Sequence, residues 1–306
     1  LSNKGQGAQG LSADRAFIVR ATFKKPTTAA SSNTEEITDP ATAFNIEKLN
    51  LDPLPAIDSV QYPTDKRFAL ISAQSGEIGI LDFARRDVTS QDYAAVDTNI
   101  KSAATTADGL NLFYWLFQPD IQKNFLVRDT LKRDKPDRFF DQPLIDQLGV
   151  TKLKFRWSPD AQKVLGIGEK TILINILERK ASILQDTSTL KDAWFSLDGG
   201  TIIGINADGQ LLTIDLESHQ LADHNVTTSA NNLTIADQNT VYLIDGEGKF
   251  YSYNFDTKQK VLYLIDEKIN ASGIQSWIVD ATNSLAYFVV DGKLYTEPVV
   301  RGDYND

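Results

Sequence analysis

Turn aspartates recur along this chain at intervals that cut it into similar pieces. Asp65, Asp198 and Asp237 are each followed 11 residues later by Gly76, Gly209 and Gly248, and 6 residues further on by Asp82, Asp215 and Asn254. Weaker copies of the turn stand at Asp108, Asp160 and Asp280, so successive turn aspartates lie 43, 52, 38, 39 and 43 residues apart. A period of this length corresponds to one four-stranded blade. A unit this small buries its apolar faces only against its neighbours, and a closed ring of such units leaves no unpaired edge. The expected fold class is therefore all-β, a β-propeller of about six blades, with seven as the alternative count.

The residue types at these positions are folding devices. A short Asp or Ser side chain can hold the backbone that reverses direction, and Gly after Asp208 or Asp291 supplies the positive φ of a tight hairpin. Between turns stand short β-branched and aromatic runs, such as Phe68-Ala-Leu-Ile, Thr201-Ile-Ile-Gly-Ile, Val241-Tyr-Leu-Ile and Ala286-Tyr-Phe-Val-Val. A helical turn or two is expected only near Pro143 to Leu148. Three residues before the turn aspartate stand Tyr62, Trp157, Phe195 and Trp277, a phase that points into the interface between neighbouring sheets. Thr105 and Thr234 depart from it, and Trp194 is one residue out of phase.

The turns WSPDAQK, FSLDGGT and YPTDKRF resemble the F-S-P-D-G-K-like turn of WD40-like propeller repeats of the TolB type. The resemblance covers roughly residues 57 to 297 and implies architecture, because the repeat is shared by many functions. The Trp-Asp and Gly-His dipeptides of true WD40 blades are absent, and Pro298 stands near where the last strand of the family repeat ends in Asp.

Closure is expected from the N-terminal side. Residues 16–23, AFIVRATF, alternate well enough to complete the last blade as an outer strand, and Phe44 to Leu51 could pair beside it. If both join further strands, they make a seventh, irregular blade. The expected layout is a flexible Gly-, Ser- and Gln-rich linker over 1–12, one propeller domain over 13–300 and a tail over 301–306. A polar segment from Pro26, PTTAASSNTEEITDPAT, is expected as a mobile loop. Methionine is missing even at position 1, so the expectation is an extracytoplasmic domain, periplasmic or at a cell surface, released from an upstream membrane anchor. The alternative is a cytoplasmic chain cut from a tag.

Composition removes several function classes. Asp and Glu number 41 against 31 Lys and Arg, a formal charge of -10 that repels nucleic acid and anionic lipid. Without cysteine, thiol nucleophiles and zinc-thiolate sites are excluded. No window of 18 apolar residues offers membrane insertion by this segment. No nucleophile elbow, phosphate loop or dinucleotide fingerprint occurs, Gly166-Ile-Gly168 being only strand and turn, so no cofactor is expected. His219 and His224 are expected as solvated residues of a connection between blades. Asn206-Ala-Asp208-Gly209 and Asp245-Gly-Glu247-Gly248 resemble fragments of calcium loops but lie where a hairpin turn is required. Arg301-Gly302-Asp303 resembles an integrin-binding tripeptide, a coincidence at this length.

The long interval between Asp108 and Asp160 is the most informative irregularity, since insertions in repeat proteins map to loops on one face. Its candidate partner-binding loop carries Lys132, Arg133, Lys135 and Arg138, with Phe139 and Phe140 as apolar anchors if exposed. The alternative is that both rings pack beneath the loop.

The expected function is a non-enzymatic binding or scaffolding module for a protein partner, without catalytic or metal-binding residues. A lactonase-like hydrolase stays open as the alternative, because its Glu, Asn and Asp metal ligands would leave no linear motif. The sialidase box and the quinoprotein repeat are absent. A structural spacer of a surface layer is the third class, and it implies self-association.

Overall fold

In the computed structural model the described residues are 7–11, 15, 17–24, 35–51, 54–61, 68–82, 93–106, 108–130, 136–184, 190–263, 265–266, 269, 273–280 and 284–299. They form β-sheet almost throughout. Blade 1 is built from β1 (Gly7–Leu11), β2 (Phe17–Phe23) and β4 (Phe44–Asn50), in the order β1-β2-β4. Between β2 and β4 stand β3 (Glu35–Ile37) and the single turn α1 (Pro40–Ala43). Blade 2 is β5 (Ile57–Gln61), β6 (Phe68–Ala73), β7 (Ile78–Asp82) and β8 (Tyr93–Asp97). Blade 3 is β9 (Ile100–Thr105), β10 (Asn111–Gln118), β11 (Lys123–Thr130) and β12 (Asp137–Phe140), followed by α2 (Gln142–Leu148).

Blade 4 is β13 (Leu153–Trp157), β14 (Lys163–Gly168), β15 (Ile172–Asn175) and β16 (Lys180–Ile183). Blade 5 begins with β17 (Leu190–Phe195), β18 (Thr201–Asn206) and β19 (Gln210–Asp215). The long β20 (Leu221–Ile235) then serves twice, as the outer strand of blade 5 and the inner strand of blade 6. Blade 6 continues with β21 (Thr240–Asp245), β22 (Phe250–Asn254) and β23 (Lys260–Tyr263). Blade 7 is β24 (Ile274–Asp280), β25 (Leu285–Val290) and β26 (Lys293–Pro298), with β3 as its outer strand.

The described strands therefore make seven blades, and those of the seventh unit are the ones the sequence left ambiguous. Residues 7–11, expected as linker, pair antiparallel with β2. The strand at 17–23 does not close the last blade as expected, because β1 and β4 occupy both of its edges. Closure falls instead to Glu35–Ile37, inside the segment expected as a polar loop, which pairs with Leu294 to Thr296 of β26. Lys293 Nζ reinforces the join by donating to Glu36 Oε2 at 3.2 Å.

Alternation along the strands feeds two interfaces at once. In β10, Phe113 and Trp115 pack toward blade 4, while Leu112, Tyr114 and Leu116 pack toward blade 2. In β18, Ile202 joins the blade 4–5 cluster and Ile203 and Ile205 the blade 5–6 cluster. Strands buried on both faces read as continuous apolar runs, which is why these look so uniform in the sequence. The last of seven such clusters joins Phe44, beside Ala21 and Phe23 of β2, to Ile278 and Tyr287 of blade 7. The aromatic phase holds for Trp157, which sits edge-on to Phe113, and for Phe195 and Trp277 in their interfaces. Tyr62 lies outside the described residues.

The turns behave as their chemistry requires. Asp160 Oδ1 accepts from Ser158 Oγ at 2.5 Å and from the Gln162 N–H. Asp198 repeats this with Ser196 and Gly200, and Asp108 with Thr106 and Leu110. The Ser196 hydroxyl, aided by the Gly200 N–H, holds the Asp198 carboxyl below the usual carboxylate range. Gly76, Gly209 and Gly248 all take φ near +80° (+83°, +81° and +81°), a region that favours glycine.

Candidate functional site

Inner strands β5, β9 and β13 start on the same face of the ring, beside the turns that join second to third strands. There they line a cavity of about 810 Å³ between blades 2, 3 and 4. Its size falls within the usual range of ligand sites, about 300–1,000 Å³. The Asp-bearing turns, which join first to second strands, lie at the opposite end of the same strands.

Blade 4 supplies half of the charged side chains that line the cavity, Lys152, Lys154 and Glu169, and along β13 the side chains alternate. Leu153, Phe155 and Trp157 pack toward blade 3, and Lys154 and Arg156 turn toward blade 5. There Asp192, buried on β17, accepts from Lys154 Nζ at 2.8 Å and from Arg156 Nη2 at 2.9 Å. It also accepts from the Ala193 N–H, and the Arg156 guanidinium lies 4.8 Å from the centre of the Trp194 ring. Trp194, one residue out of the turn phase, faces the other side of its sheet from Phe195, as that phase predicts, and is half-buried beside the blade 5–6 cluster. Lys152 lines the cavity next to Lys154. Lys101 of β9 adds a third ammonium, donating to Asn124 Oδ1 at 2.9 Å beside the Trp115 and Phe117 rings.

Acidic groups line the rest. Asp58 and Glu77 come from blade 2, with Arg15 Nη1 3.5 Å from Asp58 Oδ1. Glu169 accepts from the Thr151 hydroxyl and N–H, and these bonds hold its carboxyl below the usual range. Ser102 places a buried hydroxyl oxygen in the cavity wall, without a hydrogen-bond partner among the described residues.

Gly168 shapes the wall by its lack of a side chain: a Cβ there would lie 2.1 Å from the Lys152 carbonyl oxygen. Gly166 likewise leaves room for Ile172, whose Cγ1 would sit 2.7 Å from an added Cβ. Gly166-Ile-Gly168, expected as strand and turn, is the end of strand β14, and its glycines serve close packing.

The described part of the insertion between Asp108 and Asp160 is strand and helix. It forms β12 and α2, and Ile145 and Leu148 of α2 join Phe139 and Phe140 in the blade 3–4 core. Phe139 and Phe140 are 5% and 6% exposed, so the rings are packed and do not serve as surface anchors. Arg179 lies over Phe139 at 4.5 Å and pairs with Asp137 at 2.7 Å. Arg138 is exposed, with its guanidinium 4.4 Å from the centre of the Phe125 ring and Nη2 donating to Gln118. Lys132, Arg133 and Lys135 lie outside the described residues, as does Arg301-Gly302-Asp303.

Both histidines were expected in solvent, and one is not. His219 is exposed at a turn. His224 is 9% exposed on β20, its Nε2 2.8 Å from Thr213 Oγ1 and its Nδ1 3.1 Å from Tyr253 OH. Burial pushes its pKa down, and it bridges blades 5 and 6 away from the cavity. The calcium-like fragments are turns: Asn206 Oδ1 accepts from the Asp208 and Gln210 N–H groups, and Asp245 Oδ1 from those of Glu247 and Lys249. Among the described residues no group of three or more His, Cys, Asp or Glu side chains is placed to hold a metal ion.

No family model and no curated protein matches the chain by sequence. Among solved structures, the Cps50 (Swd1) beta-propeller domain of Myceliophteria thermophila is similar over 98% of this chain and 99% of its own, with a TM-score of 0.55 and 13% identity. The fold is a β-propeller. At that identity the likeness concerns the fold alone and carries no activity with it.

Proposed function

We propose that this propeller is a non-enzymatic binding module that docks a partner protein on the face carrying the cavity. One observation carries the reading: three of the charged groups that line the cavity are already held by neighbours in the fold. Lys154 is held by Asp192, Glu169 by Thr151 and Lys101 by Asn124. Charges fixed before binding lose little freedom on association and so favour recognition. The buried imidazole, the natural acid–base group, lies elsewhere.

Crosslinking with lysine-reactive reagents, followed by mass spectrometry, tests the reading. The expected result is a protein partner joined through Lys101, Lys152 or Lys154. A substrate turned over by the pure chain, with no partner recovered, overturns it. A Ca²⁺-dependent melting shift above a chelator control would favour the metal-dependent hydrolase instead.

Two finer statements belong to the same proposal. A TolB-type origin of the repeat is supported by WSPDAQK and FSLDGGT, whose Ser and Asp make the same bonds in both blades. The other is an extracytoplasmic setting, which cell fractionation tests.

A further inference from the structure

The charges around the cavity are sorted by blade. Lys101, Lys152 and Lys154 stand on blades 3 and 4, with Glu169 among them, whereas Asp58 and Glu77 stand on blade 2. Asp192 does not cancel the basic side, because it is shared between Lys154 and Arg156 and its third bond goes to the Ala193 N–H. Lys154 keeps donor capacity beyond the one bond it makes, since an ammonium carries three N–H groups. Lys152 makes no ion pair with a described residue, and Lys101 is held only by a neutral amide and two rings. On the blade 2 side, Arg15 is 3.5 Å from Asp58, and both side chains are about half or more exposed (47% and 61%), a weak pair that a ligand can replace.

The geometry points to a ligand of matching polarity: a short partner segment with an acidic side chain against blades 3 and 4 and a Lys or Arg against blade 2. A uniformly acidic segment would meet Asp58 and Glu77, and a uniformly basic one would meet the lysines, so like-charge contact rejects both. The cavity admits a few residues. This inference rests on the proposed docking face and names the chemistry of what docks there.

The test uses fluorescent peptides of equal length whose charge is mixed, all-acidic, all-basic or neutral. Binding to the whole chain is followed by anisotropy at low and physiological salt. The mixed peptide should bind at least about tenfold more tightly than the other three and weaken as salt rises. K152Q combined with K101Q, and separately D58N combined with E77Q, should each weaken it at least about fivefold at unchanged melting temperature. Should a variant fail to fold, acetylation of wild-type Lys152 gives the same readout, since bound mixed peptide should shield it. Equal binding of all four peptides, or binding unaffected by both variant pairs, overturns the inference. If no peptide binds while crosslinks to a partner still map to Lys101, Lys152 or Lys154, the inference fails and the docking face stands. If those crosslinks are also missing, both fail.

Discussion

Replacing Asp192 should loosen the seam between blades 4 and 5 by an amount that its surroundings set. Its side chain is 10% exposed and bonds Lys154, Arg156 and the Ala193 N–H. The Lys154 side chain is 57% exposed, so that pair contributes at most about 1 kcal/mol. The Arg156 side chain is 27% exposed, and without its carboxylate it is left as a partly desolvated cation beside Trp194. One-sided removal of a buried pair costs about 3–5 kcal/mol, and partial access to water puts this case near the lower end. Asp192→Ala should therefore destabilise by about 3 kcal/mol, a melting temperature lower by about 5 °C for a chain of this length. Asp192→Asn keeps an acceptor for the Ala193 N–H and should cost about 1–2 kcal/mol. The assay is urea denaturation of Asp192→Asn, Arg156→Met and the double variant. The double should be less destabilised than the sum by about 1 kcal/mol or more, because each single change strands the other charge. Additivity within about 0.3 kcal/mol would refute the idea that the two groups depend on each other.

Two further outcomes follow from other parts of the ring. Burial lowers the pKa of His224, whereas the unfolded chain takes up that proton near about pH 6.5. The unfolded state then binds more protons as pH falls through that value, so the contribution is full above about pH 6.5 and is lost as pH drops toward the folded pKa. Urea midpoints measured between about pH 5 and 7.5 should show a slope that His224→Gln flattens; an unchanged slope assigns it to other groups. Gly168→Ala should destabilise by at least about 2 kcal/mol and distort the cavity, because its Cβ meets backbone at 2.1 Å. Gly76→Ala has open space around its Cβ and a φ of +83°, so it should cost only about 1 kcal/mol of backbone strain. Equal losses for the two, read from thermal melts, would contradict the packing argument.

Much of the site was not legible in the sequence. The alternation Lys152-Leu-Lys-Phe-Arg-Trp157 announces a strand with one charged and one apolar face. Nothing in that pattern says that the charged face meets Asp192, or that Lys101 and Asp58 share its cavity. The insertion after Asp108 was conspicuous by length, yet length alone does not separate a projecting loop from α2, which buries Ile145 and Leu148. His224 looked like a loop residue because a connection was expected where β20 runs unbroken between two blades.

What the chain determined by itself is what near neighbours can enforce. A Ser and an Asp two residues apart hold their own turn, Gly209 and Gly248 accept the positive φ of theirs, and Asp215 and Asn254 bond the N–H groups two and three residues on. These bonds need no distant partner, so they repeat wherever the residues repeat. The blade count, the strand that closes the ring and the cavity wall were decided only in three dimensions. Each depends on groups tens to hundreds of residues apart, such as Ile37 with Leu294, whose meeting is set by how many blades close without strain around the axis.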